Sequence, residues 1–181
     1  MKKQFAIIGI IILLLTMVLS GCMDSNEEDD LSGLSYKNTQ YGFGINPPMG
    51  WTVYGSNPNA IVTFAGPLVE DSFIIIIAIS LHALENDQTI YSELDKAILN
   101  LSEVYSDFML ISRTNRTING MNAQEIIYTI TTPEGLKVKQ KQVVIEKKSK
   151  ALTFAYSATP NSFDIYNPII EESLKSIKII W

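Results

Sequence analysis

The chain has 181 residues, a formal net charge of -5 and a single cysteine, Cys22. One thiol excludes an intramolecular disulfide and any multi-cysteine metal site, and a mildly acidic balance excludes the strongly basic face that nucleic-acid binding demands. The length suits one domain that buries about two thirds of its unfolded surface in a core of its own.

Lys2 and Lys3 open the chain, residues 5–19 form an almost unbroken apolar run, and Leu19-Ser20-Gly21-Cys22 closes it with small residues before the cysteine. This order has the form of a lipoprotein signal peptide over residues 1–21, with Cys22 as the lipid-attachment residue at the new amino terminus. The competing reading is an uncleaved membrane anchor, because the run is only slightly shorter than the roughly 17 to 25 residues that span a bilayer.

Residues 22–35 are acidic and poor in apolar side chains, which suits a flexible tether that cannot bury enough surface to order itself. Loss of Lys2 and Lys3 takes the charge from -5 to -7, and Asp24, Glu27, Glu28, Asp29 and Asp30 supply -5 of that, leaving about -2 on the domain at 36–181. A calcium site built from those acids lacks the spaced oxygen ligands and obligatory glycine of a calcium loop.

Residues 41–46 alternate as a short strand that Pro47 and Pro48 stop, since proline lacks the amide donor a central strand needs. The turn that follows delivers Trp51. Residues 60–65 alternate again, and residues 73–81 form an isoleucine-rich run with no polar face, expected at the centre of the sheet and covered on both sides. Thr89 is placed to cap a helix whose apolar stripe reads Tyr91, Leu94, Ile98, Leu101, Tyr105 and Phe108. Strands at 109–117, 124–132, 136–146 and 152–158 then follow one another, the first two joined by Asn119-Gly120, a hairpin dipeptide that tolerates positive φ. A last helix carries Phe163, Tyr166, Ile170, Leu174 and Ile177 on one face, with Pro168 either a kink or the first turn. The sum is an α+β fold: an α/β/α sandwich with a largely antiparallel sheet of about seven strands and two main helices.

Three segments carry a likeness beyond composition. The opening Tyr41-Gly42-Phe43-Gly44-Ile45-Asn46-Pro47-Pro48-Met49-Gly50-Trp51 resembles the "GFSI-x-YP-x-GW" start of PsbP-like domains. The hairpin Ile118-Asn119-Gly120-x-x-Ala123-x-Glu125 is similar to the same family, as is the closing run Phe163-x-x-Tyr166-x-Pro168-Ile169-x-Glu171-x-x-x-Lys175-Ser176-Ile177-Lys178-Ile179. Asn46-Pro47-Pro48 departs from the family, which has a tyrosine there. The resemblance implies an α/β/α sandwich used to dock onto larger partners. It includes photosystem-associated proteins of plants and cyanobacteria, a nuclear-transport factor sharing the fold, and many prokaryotic lipoproteins. These motifs punctuate structure rather than chemistry, so the resemblance brings no manganese, calcium or photosystem site.

Little in the chain points to catalysis. His82 is the sole histidine, leaving one candidate base and no histidine metal cluster. No nucleophile elbow, phosphate-cradling glycine loop or carboxylate pair at a telling spacing accompanies it, so no cofactor is implied. Asn100-Leu101-Ser102 and Asn115-Arg116-Thr117 match the glycosylation sequon, which often arises by chance. Trp51 and Tyr54 could line a ligand cleft, although an aromatic after a strand is more often a core plug.

Six of the lysines crowd one hairpin: Lys137, Lys139 and Lys141 share a face of one strand, and Lys147, Lys148 and Lys150 surround the next turn. They are candidate partner-binding residues for an anionic protein or membrane headgroups, or else guards of a solvated sheet edge; either role requires them to be wet. The expected function is that of a membrane-tethered, extracytoplasmic, non-catalytic binding and docking lipoprotein with a protein partner at the cell surface. The alternative is a small-ligand carrier with a pocket between sheet and helix.

Overall fold

The computed structural model describes residues 31–54, 59–70, 73–85 and 88–181. In chain order the elements are β1 (Tyr36–Asn38), β2 (Phe43–Ile45), β3 (Thr52–Val53), β4 (Val62–Leu68), β5 (Ile74–Ala83), α1 (Ile90–Val104), β6 (Met109–Ile118), β7 (Met121–Thr131), β8 (Lys137–Lys147), β9 (Lys150–Ala158), α2 (Pro160–Lys175) and β10 (Lys178–Ile179). Seven strands form one antiparallel sheet in the order β3-β4-β5-β9-β8-β7-β6, and β1, β2 and β10 form a separate sheet in the order β1-β2-β10.

The alternation of each strand divides its side chains between two cores. On one face Ile75, Ile77 and Ile79 of β5, Phe154 and Tyr156 of β9 and Val143 and Ile145 of β8 meet Phe163, Ile170 and Leu174 of α2, with Phe43 and Ile45 of the small sheet closing the layer. The Tyr156 and Phe163 rings stack at 4.8 Å. On the other face Ile126, Tyr128 and Ile130 of β7 and Val138 and Val144 of β8 meet Ile90 and Leu94 of α1. The result is helix, sheet, helix.

Both helices begin where side-chain oxygen replaces missing backbone partners. Thr89 and Ser92 exchange hydrogen bonds in a reciprocal cap at the start of α1, and the Thr159 hydroxyl accepts from Ser162 at the start of α2. Pro160 occupies the first turn of α2, where its absent amide costs nothing, so Pro168 is an interior proline on the exposed side of the helix. Asn119 and Gly120 take φ of 47° and 78° in the β6–β7 turn, as the hairpin dipeptide requires.

Several expectations need correction. The isoleucine run of β5 lies third in the sheet and β9 is central; Ile74, Ile76 and Ala78 are only half-buried because α1 rests on β7 and β8 instead. The segment at 41–46 pairs in the small sheet, and the short β3 takes the seventh place in the main one. Tyr91 is exposed and Ile90 takes its place at the head of the α1 stripe, while Leu94, Ile98 and Leu101 face the core as expected. Ahead of β1, Leu31 is buried and, with Leu34, sits over Gly44 of β2.

Candidate functional site

The six lysines do not form an open patch. β8 and β9 lie inside the sheet, and the face carrying Lys137, Lys139 and Lys141 is the one α2 covers. Lys141 is 3% exposed and hydrogen-bonds Glu171 and Asn167 of α2. Arg116 of β6 grips the same Glu171 through two guanidinium nitrogens, at 3.1 and 2.7 Å, and also reaches Glu125 of β7. Two cations and two carboxylates therefore close a neutral cluster between sheet and helix. Burial alone would raise the Glu171 carboxyl, but the hydrogen bonds from Arg116 and Lys141 outweigh it and hold the group at about 2. The same Glu171 bond pushes the Arg116 guanidinium upward.

Lys139 pairs with Asp164 at 3.0 Å and lies 4.4 Å above the Phe163 ring. Lys147 donates to the Ile179 carbonyl, and Lys150 stands 5.3 Å from the Trp181 ring centre. Only Lys137 and Lys148 of the six are exposed. Neither role that needs all six wet survives: strand alternation placed three on one face as expected, but the sequence around them did not show that α2 would cover it.

The remaining candidates are scattered. His82, at the far end of β5, has its Nε2 3.6 Å from the Glu93 carboxylate. Trp51 plugs the core edge, its ring so close to Gly66 that a side-chain carbon there would come within 2.4 Å. Tyr54 is exposed beside it. Asn100 is exposed on α1, and Asn115 is exposed on β6 with its amide oxygen accepting from Gln124. Among the described residues no three of His, Cys, Asp and Glu gather as metal ligands. Cys22, the leader 1–21 and the tether up to residue 30 lie outside the described residues.

Two groups of exposed apolar side chains stand at opposite ends of the sandwich. At one end Pro48, Met49, Gly50 and Trp51 form a turn closed by the Trp51 N–H to the Pro48 carbonyl at 3.0 Å, with Gly50 at φ 83°. Pro48 is buried and Met49, at the corner, is 100% exposed. Grooves of about 460 and 500 Å³ flank this knuckle, the first shared with Ile169 and Glu172 of α2 and its cap Ser176, and the second with Tyr36, Trp51 and Val53. The chain enters the domain here: the Ser35 N–H donates to the Asn46 side chain at 2.8 Å, and the Asn46 N–H donates to the Ser176 hydroxyl at 2.8 Å.

At the opposite end the sheet finishes on β6, whose first residues Met109, Leu110 and Ile111 are exposed and interrupted by an irregularity between Leu110 and Ser112. Beside them a groove of about 510 Å³ runs between Val104–Asp107 and Thr131–Pro133. Asp107 bridges its walls, accepting from the Thr131 hydroxyl and amide, and these bonds hold its carboxyl below the usual range. Lys137 opens β8 at this same end.

The backbone course is shared with solved structures of low sequence identity. Cyanobacterial PsbP from a Synechocystis species superposes with a TM-score of 0.61 at 16% identity over 80% of this chain and 90% of its own. LpqN of Mycobacterium tuberculosis, described as involved in cell envelope biogenesis, gives 0.61 at 16% identity over 77% and 83%. The chain has a PsbP-like fold. A Pseudomonas aeruginosa protein of unknown function, PA94, extends the set, at TM-score 0.56 and 19% identity over 70% of this chain and 94% of that one. No protein-family model and no curated protein matches the sequence. At these identities the likeness fixes the PsbP-like architecture and nothing about partners.

Proposed function

We propose that this PsbP-like domain is a membrane-tethered, extracytoplasmic, non-catalytic docking lipoprotein. It is held by lipid on Cys22 and presents its β6 edge to an extended segment of a protein at the cell surface. The observation that carries the reading is the outer end of the sheet. β6 is the last strand, ten residues long, and an edge strand offers a row of backbone donors and acceptors to which another strand can add. Met109, Leu110 and Ile111 provide apolar contact beside that row, and the exposed Lys137 stands near Asp107 at the same end. The chain enters beside Asn46 and Ser176, next to the Asn119 end of β6, so a tethered domain would hold the Met109 end of this edge farther from the membrane. LpqN, a neighbour in fold, belongs by its description to envelope biogenesis, which fits the setting.

The carrier alternative needs room between sheet and helix, and Tyr156, Phe154, Phe163, Ile170 and Leu174 fill the α2 interface with side chains at most 2% exposed. That favours docking. Mass spectrometry of the mature protein should find an acylated amino terminus at Cys22; a chain still beginning at Met1 overturns the anchor. A photo-crosslinker at Ile111 should yield a discrete protein adduct in intact cells that a crosslinker at Lys96, on the exposed side of α1, does not. Identical adduct patterns at the two positions overturn the edge as the docking surface.

A further inference from the structure

The Met49 knuckle is built as a fixed apolar point. Pro47 and Pro48 restrict the backbone before it, the buried Pro48 and the plugged Trp51 hold both sides of the turn, and Met49 projects between them with its whole surface in water. Around it Ile169 is 43%, Val53 61% and Tyr54 54% exposed. Glu172, in the groove beside it, pairs with Lys175 at 2.9 Å. A patch that is apolar, neutral and edged by a tyrosine has the composition of a surface that rests in the boundary between lipid headgroups and acyl chains.

The entry of the chain identifies what lies opposite. Leu31 packs over Gly44, and Ser35 is bonded to Asn46, so the tether leaves the domain at the foot of the knuckle. Eight residues, and so nine Cα–Cα steps, separate Cys22 from Leu31. At about 3.3 to 3.6 Å per residue they reach at most roughly 30 Å. We propose that the Pro47–Met49 knuckle inserts into the bilayer that holds Cys22, giving the domain a second membrane contact that sets its orientation. This rests on the lipid-anchor reading above. Burial of one methionine side chain shifts an in-out equilibrium by roughly tenfold to a hundredfold. That is too little to recruit a free protein, but it is enough to order one already confined within the tether's reach.

Because Cys22 is the only cysteine, acylation leaves Met49→Cys as the sole free thiol in the lipidated protein. The full mature chain is reconstituted in phosphatidylcholine vesicles, with an environment-sensitive fluorophore on Met49→Cys or on Glu134→Cys in the exposed β7–β8 turn at the other end. Brominated acyl chains in the vesicles should quench the probe at 49 severalfold more than the probe at 134, equally at low and high salt. Vesicles that float with the protein while both probes are quenched alike overturn the knuckle and leave the anchor standing. Failure of wild-type protein to float overturns the anchor, and the proposal with it. Quenching at 49 that disappears in high salt overturns apolar insertion in favour of charge attraction. Met49 has no packing to lose, so an unchanged melting temperature for Met49→Cys keeps the comparison clean.

Discussion

The two faces of the main sheet are stabilised by different means. Under α2 lie five buried helix residues, a stacked Tyr156–Phe163 pair, and an ion cluster in which Arg116 and Lys141 compensate Glu125 and Glu171. Under α1 there are two buried helix residues, Ile90 and Leu94, with Ile98 and Leu101 only partly covered. The α2 face also joins the small sheet, through β10 and the Asn46–Ser176 bond, and so positions the Met49 knuckle. The α1 face reaches instead toward the groove and the β6 edge. A PsbP-like domain of this kind has a firm side that fixes its orientation to the chain entry and a lighter side next to the proposed docking edge.

The sharpest way to break that contrast is to remove its largest anchor. Phe163→Ala should cost about 3 to 5 kcal/mol, read by chemical denaturation, since it removes a buried ring stacked on Tyr156. Next comes acid. The Glu171 carboxyl lies near 2 in the folded protein against 4.5 for the free group, so its contribution is complete above about pH 4.5 and is lost as pH falls toward 2. At 20% side-chain exposure the loss is on the order of 3 kcal/mol over that range, and Glu171→Gln should flatten the acid limb of the stability curve. Leu94→Ala on the α1 side should cost less than Phe163→Ala, about 2 to 3 kcal/mol. Equal losses at the two sites would show that the faces are equally firm. Met49→Ser should move stability by less than about 0.5 kcal/mol, as expected of a side chain wholly in water.

The buried cluster also explains why the lysine hairpin misled. Substituting Lys141 alone would strand part of the Glu171 charge in a covered site, whereas Lys137 and Lys148 are exposed. Reversal of Lys137, Lys139 and Lys141 together would therefore disturb the fold before it tested any partner.

Local chemistry was legible in the sequence because it depends on neighbours along the chain. The Thr89 cap, the Asn119-Gly120 hairpin, the stop at Pro47-Pro48, the strand periods and the apolar stripe of Phe163, Ile170 and Leu174 all appear where short-range rules place them. So does the choice of an α/β/α sandwich, since two amphipathic helices and a run of alternating strands leave few other ways to bury both faces. Strand order was not legible, because hydrogen-bond partners 30 or more residues apart leave no mark on either segment; hence β5 moved off centre, and β6 rather than the lysine strand became the edge. Whether a lysine stands in water or against Glu171 depends on where α2 lands, 30 residues further along the chain. Met49 is the same case in reverse: an apolar residue in a turn reads as ordinary until the packing of Pro48 and Trp51 leaves it outside.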